Sequence, residues 1–213
     1  MLNARTTLAQ QLLPRAGVLE RPLVRDGILA LAGTAVLALC ARISFPIPTT
    51  PIPVTMQTFA VLLLGALYGP RLGAVTMLLY LAEGLAGLPV FSGGRSAWSP
   101  SSVPLLPVIV GPTAGYLLAM PLAAALVGAL ASRGWDRRVV SAIPAMLLGN
   151  LVILLCGFLW LAAATSLLTG ALNIPALLAA SVWPFLPGDA IKLGLAALAL
   201  PGGWALLRKD RSI

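Results

Sequence analysis

No histidine occurs anywhere in this chain, and that absence removes His-based catalytic triads and most zinc chemistry at once. Cysteine is nearly absent too: Cys40 and Cys156 each sit inside an apolar run, the setting of a small buried hydrophobe, with no metal-ligand spacing around either. Charge is scarce, at 9% of residues against the roughly 25% of soluble proteins. A soluble basic surface for nucleic acid therefore has nowhere to form. No G-x-x-x-x-G-K-[ST] is present: Lys192 is followed by Leu193 and Lys209 by Asp210, so neither lysine can grip a nucleotide phosphate. No G-x-S-x-G nucleophile elbow occurs either. The chain is expected to be no enzyme, with no metal, no cofactor and no ATP site of its own.

What remains is hydrophobic. Apolar residues make up 59% of the 213, and mean hydropathy is +0.98. The apolar stretches are long and do not alternate, which points to membrane helices and away from a β-barrel. The expected fold is all-α, a polytopic membrane protein of the cell membrane with six transmembrane helices. The spans are expected near 27–44, 54–69, 71–88, 111–132, 139–167 and 176–200. Residues 1–26 are polar and carry Arg5, Arg15, Arg21 and Arg25, with no apolar h-region, so they read as a cytoplasmic tail and not a signal peptide. The domain plan is this tail, a membrane-embedded substrate-binding unit over 27–207, and a short tail at 208–213.

Basic residues set the orientation. With the N-terminus inside, Arg5, Arg15, Arg21, Arg25, Arg71, Arg133, Arg137, Arg138, Arg208, Lys209 and Arg211 fall on the inner side. Arg42 and Arg95 alone fall outside. Both termini are then cytoplasmic, and the net charge of +8 is mostly this asymmetry. The inner connections are short. The outer ones include "FPIPTTPIPVT", whose prolines at 46, 48, 51 and 53 favour an extended, semi-rigid strand, and the Gly/Ser/Pro loop "FSGGRSAWSPSSVPLLP". Long loops of this kind serve either as lids or as plain connections.

Depth then sorts the polar residues. Gln57, Tyr80, Glu83, Thr113, Tyr116, Asn150, Trp160, Asp189 and Lys192 fall at mid-depth or in the outward half, while the inner halves are almost wholly Ala, Leu, Val, Ile and Gly. A charge at mid-bilayer costs about 2.5–3.5 kcal/mol, so it faces the interior and usually serves function. Asp189 and Lys192 are three residues apart and share a helical face. A helix reset at Pro187 places Asp189 in its first turn, beside free N–H groups. The pair reads either as a ligand clamp or as a self-neutralising ion pair. Glu83 reads as a rim partner of Arg42 or Arg95. Asn150 suits a ligand or a neighbouring helix. Trp160 suits the site or the interfacial belt, and Thr113 and Tyr116 suit the site or a helix start with its belt. The small residues Ala30, Thr34 and Ala38, spaced by four, allow close approach by a helix of this chain or of a partner membrane protein.

Several segments, in order, resemble the BioY family, the biotin-capturing S components of energy-coupling factor transporters. They are "ARISFPIPTTPIPVTMQTFAVLLLGALYGPRLG" (41–73), "LLYLAEGLAGLPVFSGG" (78–94), "GPTAGYLLAMPLAA" (111–124), "GNLVILLCGFLWL" (149–161) and "PFLPGDAIKLGLAAL" (184–198). The resemblance covers residues 27–200 and leaves 1–26 outside. It implies a biotin-binding subunit loaded from outside, working with a transmembrane coupling subunit and ATPase subunits. It implies that the acid and lysine of "PGD-x-x-K", Asp189 and Lys192, line the biotin pocket, and that the first outer loop is a lid. It also implies that small residues of the first helix, here Ala30, Thr34 and Ala38, meet the coupling subunit. Asn150, Gln57, Tyr116, Thr113, Trp160 and Phe91 complete the expected substrate-binding set. The stretch "RSAWSPSSVPLLPVIV" departs from the family's shorter Gly-rich loop. An S component for another vitamin and a stand-alone carrier are the alternatives among transporters. A membrane enzyme using Asp, Glu or Lys is the alternative outside them.

Overall fold

The computed structural model describes residues 21–103 and 105–210, with side chains to residue 205. The expected N-terminal tail up to residue 20 and the last three residues of the expected C-terminal tail lie outside the described residues. Among the described residues, five helical stretches are long and apolar enough to cross a membrane.

Helix α1 (Pro22–Arg42) starts five residues before the expected span, because Pro22 suits the first helical turn, where no N–H is needed. Two short strands follow, β1 (Ser44–Phe45) and β2 (Val54–Thr55). They pair antiparallel and close the base of the proline loop. Helix α2 (Gln57–Leu85) is interrupted at Gly69. Helix α3 (Ala114–Ala131), helix α4 (Val139–Thr169), the short α5 (Ile174–Ser181) and helix α6 (Leu186–Asp210) complete the bundle. Helix α6 runs through residues expected to form the C-terminal tail, as far as Asp210.

The interruption at Gly69 is a reversal. A straight helix would separate Gln57 from Tyr80 by about 35 Å. Instead Gln57 Nε2 donates to Tyr80 Oη at 2.9 Å, so the two arms of α2 lie antiparallel. Gly69 supplies the turn with φ 81°, a conformation that penalises any other residue, and Pro70 starts the second arm. The arms match the stretches expected at 54–69 and 71–88. Helix α3 packs into this elbow at backbone distance. A Cβ on Gly65 would lie 2.8 Å from Ala124 Cα, and one on Gly128 would lie 2.4 Å from the Gly69 carbonyl carbon. Val61, Leu64, Met77, Leu117, Met120 and Ile153 fill the core between α2, α3 and α4.

Helix α4 shows how the bundle meets lipid. Leu147, Leu151, Leu155 and Leu159 recur every four residues and are exposed, while Asn150, Ile153, Leu154 and Gly157 on the other side are buried. Such a helix, with its exposed face as apolar as its core face, is at home in hydrocarbon. At 31 residues it measures about 46 Å, longer than the roughly 30 Å hydrocarbon layer.

Helix α1 corrects one expectation. Ala30 and Thr34 are buried, and Thr34 Oγ1 donates to Glu83 Oε1 of α2 at 2.8 Å. Ala30 and Thr34 of the stripe therefore pack inside the chain, while Ala38 is half-buried. The same bond replaces the expected pairing of Glu83 with Arg42 or Arg95. Arg42 Nη2 instead donates to the Pro89 carbonyl at 3.0 Å.

Candidate functional site

The expected sixth span is two helices with a corner, and prolines explain it. Pro184 has no N–H to reach the Ala180 carbonyl, and Pro187 none to reach that of Trp183. Helical bonding lapses at Val182, whose backbone is non-helical, and restarts at Leu186. Trp183 O accepts from the Leu186 N–H, while the carbonyls of Ala180 and its neighbour Ser181 find side-chain donors: Thr50 Oγ1 donates to Ala180 O at 2.5 Å and Tyr116 Oη to Ser181 O at 2.6 Å. The proline loop (Thr50) and α3 (Tyr116) are thereby tied to the corner. Asp189 comes to lie in the first turn of α6, as its sequence predicts.

Asp189 and Lys192 are 4% and 6% exposed, and every charged atom of the pair has a partner. Lys192 Nζ donates to Asp189 Oδ1 at 2.9 Å, to Thr55 O at 3.0 Å and to Thr58 Oγ1 at 3.0 Å. That accounts for all three ammonium protons. The other carboxylate oxygen, Asp189 Oδ2, accepts from Asn150 Nδ2 at 2.9 Å. Each Asp189 oxygen keeps lone-pair capacity for a second donor. A pair this buried persists because its desolvation is offset by close geometry and by hydrogen bonds on every side.

Above this pair is a cavity holding about 660 Å³ of empty space, open solvent at its mouth included. Its walls are mostly apolar: Ile52, Val108, Leu117, Met120, Ile153 and Leu154, with Phe91 and Phe185 as aromatic faces. Phe91 is packed edge-on against Tyr80, 5.4 Å between centroids. It lies so close to α2 that a Cβ on Gly84 would meet its Cζ at 2.1 Å. Gln57 is fixed by Thr55 Oγ1, which donates to its Oε1 at 3.2 Å, and by Tyr80, whose hydroxyl goes on to Val90 O at 2.7 Å.

Of the eight expected site residues, Asp189, Lys192, Gln57, Thr113, Tyr116 and Phe91 line the cavity. Thr113 makes no side-chain cap on α3, so its hydroxyl is not engaged in starting that helix. Asn150 and Trp160 stand behind the wall. Asn150 acts on Asp189, and Trp160 Nε1 donates to Gly111 O at 3.0 Å while its ring lies against Gly115. Sequence reasoning passed over Arg95, Ser92, Thr55, Thr58 and Phe185. Arg95 had a signal, as the single charge in a Gly/Ser/Pro loop. Its Nε donates to Ser92 O at 3.0 Å, and among the described residues it lines the cavity without a carboxylate partner. Phe185 also had one, since it directly precedes the "LPGD" turn.

The sequence model of the BioY family matches residues 8–209, beginning within the stretch expected to lie outside the resemblance. A probable biotin transporter BioY of Pyrococcus horikoshii is 39% identical over 112 residues, 53% of this chain and 60% of that protein. The chain thus spans less than two thirds of that relative. The biotin transporter BioY of Rhizobium etli is 31% identical over 194 residues, 86% of this chain and 96% of that one. Among solved structures, the S-component for biotin from an ECF-type ABC transporter superposes with a TM-score of 0.66. It is 23% identical, with 92% of this chain and 96% of that chain covered, a likeness that speaks to the fold.

Proposed function

The chain belongs to the BioY family, and we propose that it is the membrane subunit that captures biotin at the outer surface and delivers it for ATP-driven uptake with a coupling subunit and ATPase subunits. In this reading it crosses the bilayer six times, the two arms of α2 counting separately. Both termini are cytoplasmic, as the basic residues of the short connections favour. The loop-rich end holding the cavity then faces outside. The chain has no nucleotide site, and the energy comes from the partners.

One observation carries the reading: a saturated Asp189–Lys192–Asn150 network at the floor of an apolar cavity. Biotin has two ureido N–H donors and a ureido carbonyl, an apolar ring and chain, and a carboxylate. Asp189 is acceptor-only and still has lone pairs, so it suits the ureido N–H groups. Phe91, Phe185, Met120 and Leu117 suit the apolar middle. The Lys192 protons are all engaged within the protein, whereas among the described residues Arg95 has no carboxylate partner. We therefore assign the ligand carboxylate to Arg95, whose planar fork favours a bidentate pair.

Equilibrium binding to the purified full chain tests both parts. Biotin should bind the parent. Asp189→Asn should weaken it by about 2–5 kcal/mol, which is more than about thirtyfold in Kd. Arg95→Ala should weaken biotin but leave biotin methyl ester as it was. Absence of biotin binding by the parent overturns the reading. An equal loss of acid and ester in Arg95→Ala overturns the orientation alone.

A further inference from the structure

We propose that residues 96–103 and 105–110 belong to an arm that seats in the lipid headgroup layer, through Trp98, Leu105 and Val110, beside the outer end of α2. The proposal rests on the chain spanning a membrane and not on its ligand.

Charge is the first observation. From Ser96 to Ser132 no Lys, Arg, Asp or Glu occurs, so the arm is as free of charge as the helix that follows it. Loops on a water-facing surface normally carry charge.

Polar satisfaction is the second. The arm folds back on itself, with Val108 N donating to Ser99 O, Ile109 N to Ala97 O and Ser101 N to Leu106 O. Ser96, Ser99 and Ser101 turn inward, while Ser102 is exposed. Ser99 Oγ accepts from Ser96 N at 2.9 Å and lies 3.1 Å from Ser96 Oγ. Ser101 Oγ accepts from Val103 N and donates to Val103 O. Pro100 and Pro107 have no N–H to satisfy. A segment that answers its own backbone in this way is suited to surroundings poor in water.

The outward-facing side chains are the third. Trp98 is 62% exposed, Leu105 101% and Val110 44%. Leu105 is also the sole non-glycine with positive φ among the described residues, at 68°. A leucine in that conformation is strained where glycine would not be. Here it projects a branched apolar side chain clear of the protein. Trp98 fixes the level of the arm. Its indole N–H donates to Leu85 O at 2.8 Å, at the last turn of α2, and Ala97 N donates to Gly84 O. Leu85 and Leu88, both exposed, continue the lipid-facing surface up to the ring. An indole with its ring outward and its N–H bonded at a helix end is the habit of the interfacial belt. Continuity with that surface selects lipid as the occupant.

Depth-dependent quenching tests this in the full chain, reconstituted in phosphatidylcholine vesicles with Cys40 and Cys156 replaced by alanine. A fluorophore on Leu105→Cys should be quenched by nitroxide carried on phospholipid nearly as strongly as one on Leu159→Cys of α4. It should be quenched several-fold more strongly than one on Thr49→Cys in the proline loop. Val110→Cys gives the same reading if Leu105→Cys does not fold. Quenching at both positions by water-soluble nickel complexes alone overturns the proposal. So does protection from both quenchers, which would mean a protein cover.

Discussion

A buried aspartate lies near each end of helix α6, one its own and one from a neighbouring turn, and the two are treated in opposite ways. Near its start, Asp189 has a lysine on one oxygen and an asparagine on the other, and Lys192 is itself satisfied by Thr55 and Thr58. Near its end, the Trp204 indole N–H donates to Asp136 Oδ2 at 2.6 Å, while Asp136 Oδ1 has no hydrogen-bond partner among the described residues. Asp136 belongs to the short turn between α3 and α4, so this bond ties that turn to α6. The Arg137 guanidinium lies over the Trp204 ring, 4.8 Å from its centroid. A saturated network holds two opposite charges in fixed positions beside a cavity. A half-satisfied one serves as a brace. Burial alone does not mark a site. What marks it is burial together with complete pairing and empty space alongside.

Breaking the saturated end should have the largest effect. Lys192→Met keeps the volume but leaves Asp189 buried without its counter-charge. Removing one partner of a buried pair costs about 3–5 kcal/mol. Thermal unfolding in detergent should show the loss, together with loss of biotin binding. Unchanged unfolding would mean that the pair is not the anchor described here.

Two glycines sharpen the contrast between the ends. Gly128→Ala drives a Cβ into the backbone at Gly69 and Pro70, which cannot yield without opening the elbow of α2. Gly84→Ala meets the Phe91 ring, which can swing into the cavity. Overpacking costs about 1–3 kcal/mol in either case. Gly128→Ala should lose it as folding stability, and Gly84→Ala chiefly as biotin affinity. The pattern is checked by measuring unfolding and binding on both. A Gly84→Ala protein that binds biotin like the parent would remove Phe91 from the wall that sets affinity.

The helices and the burial of Asp189 and Lys192 were legible because lipid imposes a simple rule on sequence: apolar runs span, and charges inside them face inward. The corner before Asp189 was legible from Pro184 and Pro187. Three things were not. The role of Thr34 depends on Glu83, 49 residues away, and no local pattern announces such a contact. Asn150 was singled out, but its place behind Asp189 and not in the cavity wall depends on the crossing of α4 and α6. Arg95 was counted as a topological charge, and its place in the cavity follows from the fold of the 91–95 turn. Spacing within one helix reads well from sequence. Meetings between helices do not.

The smallest expected effect lies at the half-satisfied end and appears only with pH. Burial pushes the Asp136 carboxyl above its ordinary 3.8, while the Trp204 indole, its own backbone N–H and Arg137 work in the opposite direction and do not cancel the rise. The folded protein therefore binds a proton at Asp136 more tightly than the unfolded chain does. Between 3.8 and the raised value the folded state holds more protons, so stability falls as pH rises through that window. Asp136→Asn keeps an acceptor for the Trp204 indole and removes the titration. Unfolding temperature measured across mildly acid pH should fall less steeply with rising pH in Asp136→Asn than in the parent, with biotin affinity the same in both. Parallel pH profiles would place the titrating group elsewhere. A loss of biotin affinity would show that the brace reaches through α6 to the cavity.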